Sequence, residues 1–180
     1  MNMMTQMTNE SVKDELKMLV YQLMRDKPML RPVELANHLG VNEWQVISIF
    51  EQDLVTRLPG KLAKLVMAEI AHWGDVTTIV ERAGSIFEFK GSLPEGKDAF
   101  GYYNLLGKPG QLHGHLKLDQ VFHIALLSKP LRGKDAFAVV FYDRLGDCIF
   151  KIYLGRDAQG VIYSHQINAF NRLKELSDET

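Results

Sequence analysis

Apolar residues open the chain at three- and four-residue intervals. Val12, Leu16, Leu19, Val20 and Leu23 form one stripe of an amphipathic helix. Thr8 or Asn9 is its expected cap and Pro28 its stop. Pro32 opens a short second helix, Val33 to Leu39, which Gly40 ends. Asn42 caps a third, with Trp44, Ile47 and Phe50 on one face. After Pro59-Gly60 the spacing predicts a fourth, with Leu62, Leu65, Val66 and Ile70 inward. Roughly the first seventy residues therefore read as helical.

At Gly74 the period changes. "VTTIVERAGSIFEFKGSLPEG" carries β-branched and aromatic runs broken at Ala83-Gly84 and from Gly91 to Gly96, the pattern of a hairpin. "VFHIALLSK", "AFAVVFYD" and "CIFKIYLGRD" follow. Short turns between them predict an antiparallel meander. In the last strand Cys148, Phe150, Ile152 and Leu154 alternate with Lys151 and Tyr153, so the first four are expected on one face. A closing helix is predicted from Ser164 to Leu176, with Ile167, Phe170, Leu173 and Leu176 inward. The fold class is α+β: an N-terminal helical segment, an antiparallel β-sheet and a C-terminal helix. Residues 1–74 form the helical portion and 75–180 the sheet portion, within one compact unit.

Composition narrows the function. The chain has 180 residues, 46% of them hydrophobic, which suffices for one sizeable core. A net charge of −1 disfavours a dedicated nucleic-acid or anionic-membrane surface. A single cysteine, Cys148, permits no internal disulfide and fits a reducing compartment. The opening residues hold neither a basic leader nor a continuous apolar run, and no window of about 18 apolar residues occurs. A cytoplasmic location is expected.

"RPVELANHLGVNEWQVISIF" (residues 31–50) has the spacing of a helix-turn-helix. Its second helix is poorly equipped to approach phosphates. Glu43, Glu51 and Asp53 lie between Gly40 and Thr56, with no Lys or Arg. A packing role is expected for these helices, with a DNA-binding regulator as an alternative.

Candidate chemistry concentrates between Phe100 and Leu118. In "LHGHL", His113 and His115 share a face if the segment is extended. A histidine pair can begin a zinc site, with His123 as a third ligand, or can be surface residues. In "GYYNL", Tyr102 and Tyr103 face opposite ways on a strand. A phenol ligates only a strong Lewis acid such as ferric iron, and Tyr is an axial ligand of haem iron. Half-buried packing is the other role open to these tyrosines. Arg156, in "LGRD", can meet a ligand carboxylate or pair with Asp157. No P-loop, nucleophile elbow, H-E-x-x-H or dinucleotide fingerprint is present.

"GYYNLLGKPGQLHGHL" together with "LLSKPLRGKDAFAVVFYDRLGDCIFKIYLGRD" resembles the intracellular haem-utilisation carriers of the HutX/ChuX type. "LVMAEIAHWGDVTTIVERAGSIFEFKGSLPEG" and "VELANHLGVNEWQV" fit the same family. The resemblance covers Val12 to Leu176. It implies a homodimer whose sheets join into a saddle. It also implies a protein that is not an enzyme, binds haem b in its ferric form, and hands it to a haem-degrading partner. The family's P-F-Y-N-L motif falls on Gly101 to Leu105, which makes Tyr103 the implied iron ligand, with Tyr102 and Asn104 beside it. A histidine in a G-H-apolar step falls on His115, which is therefore favoured over His113. A further family histidine falls where this chain has Glu81. Lys108 and Arg156 are candidates for the propionates. Related two-repeat proteins suggest a haem-degrading enzyme as the alternative activity.

Overall fold

A computed structural model describes residues 9–177. Three helices come first: α1 Asn9–Asp26, α2 Pro32–Leu39 and α3 Glu43–Ile47. Then follow β1 Val55–Pro59, α4 Ala63–Ile70, β2 Asp75–Arg82 and β3 Ser85–Ser92. Next come β4 Gly96–Ala99, β5 Tyr102–Leu105, β6 Gly114–Leu116, β7 His123–Ser128, β8 Phe137–Tyr142 and β9 Cys148–Tyr153, before the final helix α5 Ser164–Lys174. Two antiparallel sheets result. One has six strands in the order β1-β7-β8-β9-β2-β3, and the other three in the order β4-β5-β6.

The local signals explain most boundaries. The Asn42 side chain accepts the Gln45 N–H at 2.8 Å and so caps α3. Gly40, at φ 67°, closes α2 in the left-handed region. Ala83 and Gly84 both have positive φ, the geometry of a two-residue turn that matches strand twist. Thr8, one of the two expected caps, lies outside the described residues.

Three expectations are corrected. Val55–Pro59 is a strand rather than helix, and it pairs with β7 from Val55↔Leu127 to Pro59↔His123. Val12, Leu19 and Leu65 are exposed, not inward. Cys148 does not join Phe150 and Ile152. A bulge makes Phe141 face Phe150 while Tyr142 faces Cys148, so the thiol packs with the opposite core. There burial pushes its pKa up to about 12, the mark of a small core residue.

The central strands of the larger sheet are buried on both faces. On one, Leu58, Ile124, Leu126, Val139, Phe141 and Ile152 pack with α4, α5 and the inward residues of the small sheet. On the other, Val55, Ala125, Leu127, Ala138, Val140 and Tyr142 pack beneath α1–α3. The helix-turn-helix segment is thus committed to the sheet: Val46 and Ile47 are fully covered. Trp44 stacks on His123 with ring centroids 4.2 Å apart.

Charged groups sit within this second interface. Tyr142 Oη donates to Glu43 at 3.0 Å. Arg31 meets Glu81 at 2.8 Å, and Lys151 lies 3.6 Å from the same carboxylate. Burial raises the Glu43 pKa, and the Lys151 ammonium and the Tyr142 hydroxyl pull it back only in part. A carboxyl with a raised folded-state pKa holds its proton more tightly in the folded chain. It therefore costs stability as pH rises above the unfolded value of about 4.3. The difference in unfolding free energy between Glu43→Gln and wild type is expected to be small at acid pH. It should grow in favour of the variant toward neutrality in denaturant titrations run across pH. A difference that does not change with pH would contradict this.

Candidate functional site

The small sheet is built from its inner side. Tyr103, Leu105 and Leu93 join the core, with Leu116 packed against it. Tyr103 pairs with Asp98 on one side and Leu116 on the other. Its ring lies flat over Gly96, where an added Cβ would stand 2.1 Å from Tyr103 Cε1. Only glycine leaves room for that ring. On α4, Lys64 bridges to Asp98 and ties the sheet to its support.

Strand alternation separates the predicted residues. Tyr103 is 4% exposed, whereas Tyr102 is 40% exposed. Asn104 pairs with Lys97 and with His115, so these share the outer face with Tyr102. The Tyr102 and His115 rings meet edge-on at 5.9 Å. Lys117 Nζ stands 4.9 Å from the Tyr102 ring centroid and donates to the Gly101 carbonyl at 2.9 Å. A cavity of about 390 Å³ lies at the sheet's inner edge, lined by both tyrosines with Asp98, Gly101, Leu116 and Asp119.

The structure brings Tyr102, Asn104 and His115 together, with Tyr103 on the reverse of the same strand. His113 precedes β6, is exposed and bonds to no protein group among the described residues. His123 lies on the other sheet beneath Trp44. Among the described residues no group of three or more His, Cys, Asp or Glu is disposed to hold a metal ion. The zinc alternative has no support. Lys97 and Lys117 belong to the outer face and were missed; the i, i+2 step from His115 to Lys117 was the available signal.

Burial raises the Tyr103 phenol above its ordinary range, while the Gly96 amide and the Lys64 ammonium pull the other way. The turn between β4 and β5 has Phe100 at φ 54° and Gly101 at φ 76°. A proline, locked near −65°, cannot take the second of these. Glycine at 101 therefore defines a different hairpin tip from the one a P-F-Y-N-L motif would make. Phe100 itself is 99% exposed.

A larger cavity, about 800 Å³, opens elsewhere, between β2–β3 and the loops around residues 131–136 and 155–163. Two of its polar side chains close loops. Arg156 donates to the carbonyls of Gly160 and Asp135, and Asp157 accepts the amides of Gln159 and Val161. Arg156 is accordingly tied to backbone rather than free for a ligand.

The comparisons define the family and the fold. The haem utilisation ChuX/HutX family model matches residues 56–173, from β1 to the end of α5, and the chain belongs to that family. It is 39% identical over 166 residues to the intracellular heme transport protein HutX of Vibrio cholerae, covering 92% of this chain and 86% of that one. A crystal structure of a protein from Erwinia carotovora superimposes with a TM-score of 0.82 at 33% identity, covering 87% of this chain and 96% of that one. The heme-binding protein ChuX does so with a TM-score of 0.77 at 30% identity, covering 87% and 97%. No helix of the described residues is long and apolar enough to cross a membrane.

Proposed function

We propose that this protein is a cytoplasmic haem carrier, not an enzyme, which holds ferric haem b at the β4–β5–β6 sheet and passes it to a haem-degrading partner. The observation that carries the reading is the Tyr-Tyr-Asn strand beside His115, within a chain whose relatives include a heme transport protein and a heme-binding protein. Tyr103 supplies the phenolate to iron. Support for it comes from the motif; burial raises its pKa, and the Gly96 amide and the Lys64 ammonium offset that only in part. Exposure favours a second reading, in which Tyr102 is the ligand. Asn104, His115 and, more remotely, His113 complete the surroundings. Lys97 and Lys117 on the outer face suit the propionates better than Arg156, whose guanidinium is held by two carbonyls.

A phenolate binds ferric iron strongly and weakens when it is protonated or the iron is reduced. That is the behaviour a carrier needs. Hemin titration of Tyr103→Phe and Tyr102→Phe separates the readings. The variant that loses the tyrosinate-to-iron charge-transfer band, with weaker hemin binding, names the ligand. Wild-type spectra from both would defeat phenolate ligation altogether.

Handover is tested by mixing the haem-loaded protein with a haem-degrading protein and following the Soret band. Transfer faster than spontaneous dissociation is expected. Incubation of the loaded protein alone with ascorbate and air should leave the band in place. Its decay to a bile pigment would favour the haem-degrading alternative.

The open edge of the larger sheet supports a homodimer. β3 is an end strand, and Val80, Ile86 and Phe87 of the β2–β3 hairpin are exposed, Phe87 at 68%. Val80 and Phe87 stand opposite each other, so they share a face. A second copy added at this edge hides both the unpaired backbone and the apolar side chains. Phe87→Glu is expected to shift the sedimentation of the wild-type dimer to that of a monomer. A variant that stays dimeric would move the interface elsewhere.

A further inference from the structure

The side chain of Asn104 is held on every side. Its Nδ2 donates toward three backbone carbonyls, those of Lys97 at 3.1 Å, Ala99 at 3.0 Å and Tyr102 at 3.1 Å. These carbonyls belong to both arms of the β4–β5 hairpin. They also decide which way the amide points. An amide oxygen turned toward three carbonyl oxygens would meet only like partial charges, so the nitrogen must face them. The oxygen is thereby directed at His115, with Nδ1 2.6 Å from Asn104 Oδ1.

An oxygen with no proton can only accept. The ring nitrogen facing it must carry the hydrogen, and in a neutral imidazole the other nitrogen is then a bare lone pair. In water the imidazole of histidine prefers the opposite arrangement, with the proton on Nε2. The hairpin therefore imposes a tautomer on His115. Its Nε2 bonds to no protein group among the described residues, and the side chain is exposed beside Tyr102.

We infer that Asn104 is a positioning residue: it locks the hairpin that carries the tyrosines and fixes His115 as the Nδ1–H tautomer, so that Nε2 is presented as a nitrogen donor to haem iron on the outer face of the small sheet. The assignment of iron as the acceptor rests on the haem reading above in the form that seats haem beside Tyr102, because Tyr103 lies on the opposite face of the strand. The tautomer itself does not. A ligating histidine is commonly held this way, through a hydrogen bond from its other nitrogen to an oxygen acceptor. Here the acceptor is an amide whose own orientation is set by main chain, so the arrangement exists before any ligand arrives.

Long-range proton–nitrogen correlation spectra of the full-length, ligand-free wild type test the tautomer with no substitution at all. His115 is expected to show a protonated Nδ1 and an unprotonated Nε2 in its neutral form. The reverse pattern would overturn the inference. In Asn104→Leu the His115 signals should move toward the solution mixture of tautomers. Hemin affinity should fall by roughly 10–100-fold, the usual effect of losing such a support, and Asn104→Leu should cause no further loss when it is added to His115→Ala. An Asn104→Leu protein with an unchanged tautomer, or additive losses in the double variant, would show that Asn104 does not act through His115. If wild type has the expected tautomer yet gives no saturable change with hemin, it is the haem reading that fails, and iron with it as the acceptor.

Discussion

The central strands of this protein are apolar on both faces, and everything else is arranged to keep water from each. β8 shows the constraint most simply. Val139 and Phe141 belong to one core, Ala138, Val140 and Tyr142 to the other, and all are buried. A sheet of this kind needs two covers. The N-terminal helices supply one. The other is assembled from α4, α5 and the inner side of the β4–β5–β6 sheet. The small sheet is therefore held by its own buried residues, which leaves its outer face open to display Tyr102, His115 and two lysines around Asn104. Rigid support with an uncommitted surface is what a binding site requires.

The cover supplied by the N-terminal helices is less oily than the other. Glu43, Lys151 and the Arg31–Glu81 pair lie between helices and sheet. Groups of this kind add little net stability. Removing one partner, however, leaves another uncompensated in a poorly hydrated place. Their effect is to define how α2 and α3 sit on β8 and β9, since apolar contact alone would tolerate sliding. The absence of basic residues from α3, visible in the sequence, has its counterpart here: the helix turns its one early acid inward.

Most elements were legible because their signals are local. Pro32, Gly40, Asn42 and the Ala83-Gly84 turn each act through a backbone conformation or a cap confined to a few residues. What escaped depends on distant pairing. "VTRLP" is short, alternates weakly and ends in proline, and only β7, some seventy residues later, makes it a strand. Cys148 was placed on the wrong face because the bulge opposite Tyr142 exists only in the paired sheet. Alternation correctly required Tyr102 and Tyr103 to diverge. Which one turned inward was decided by the empty space above Gly96, and no pattern along the strand encodes that. Similarly, two histidines spaced by one residue looked alike until Asn104 met only the second.

The tip of the β4–β5 hairpin has one more implication. Phe100 holds a left-handed backbone, a strain of about 1–3 kcal/mol for a residue with a side chain, and its ring rests on nothing in the protomer. By conformational criteria alone asparagine or glycine would suit the position better. An isolated chain should therefore accept almost any replacement there, an attached fluorophore included. A reporter at residue 100 would leave folding undisturbed while standing a few ångströms from the tyrosines, where the arrival of a docking molecule would be felt first.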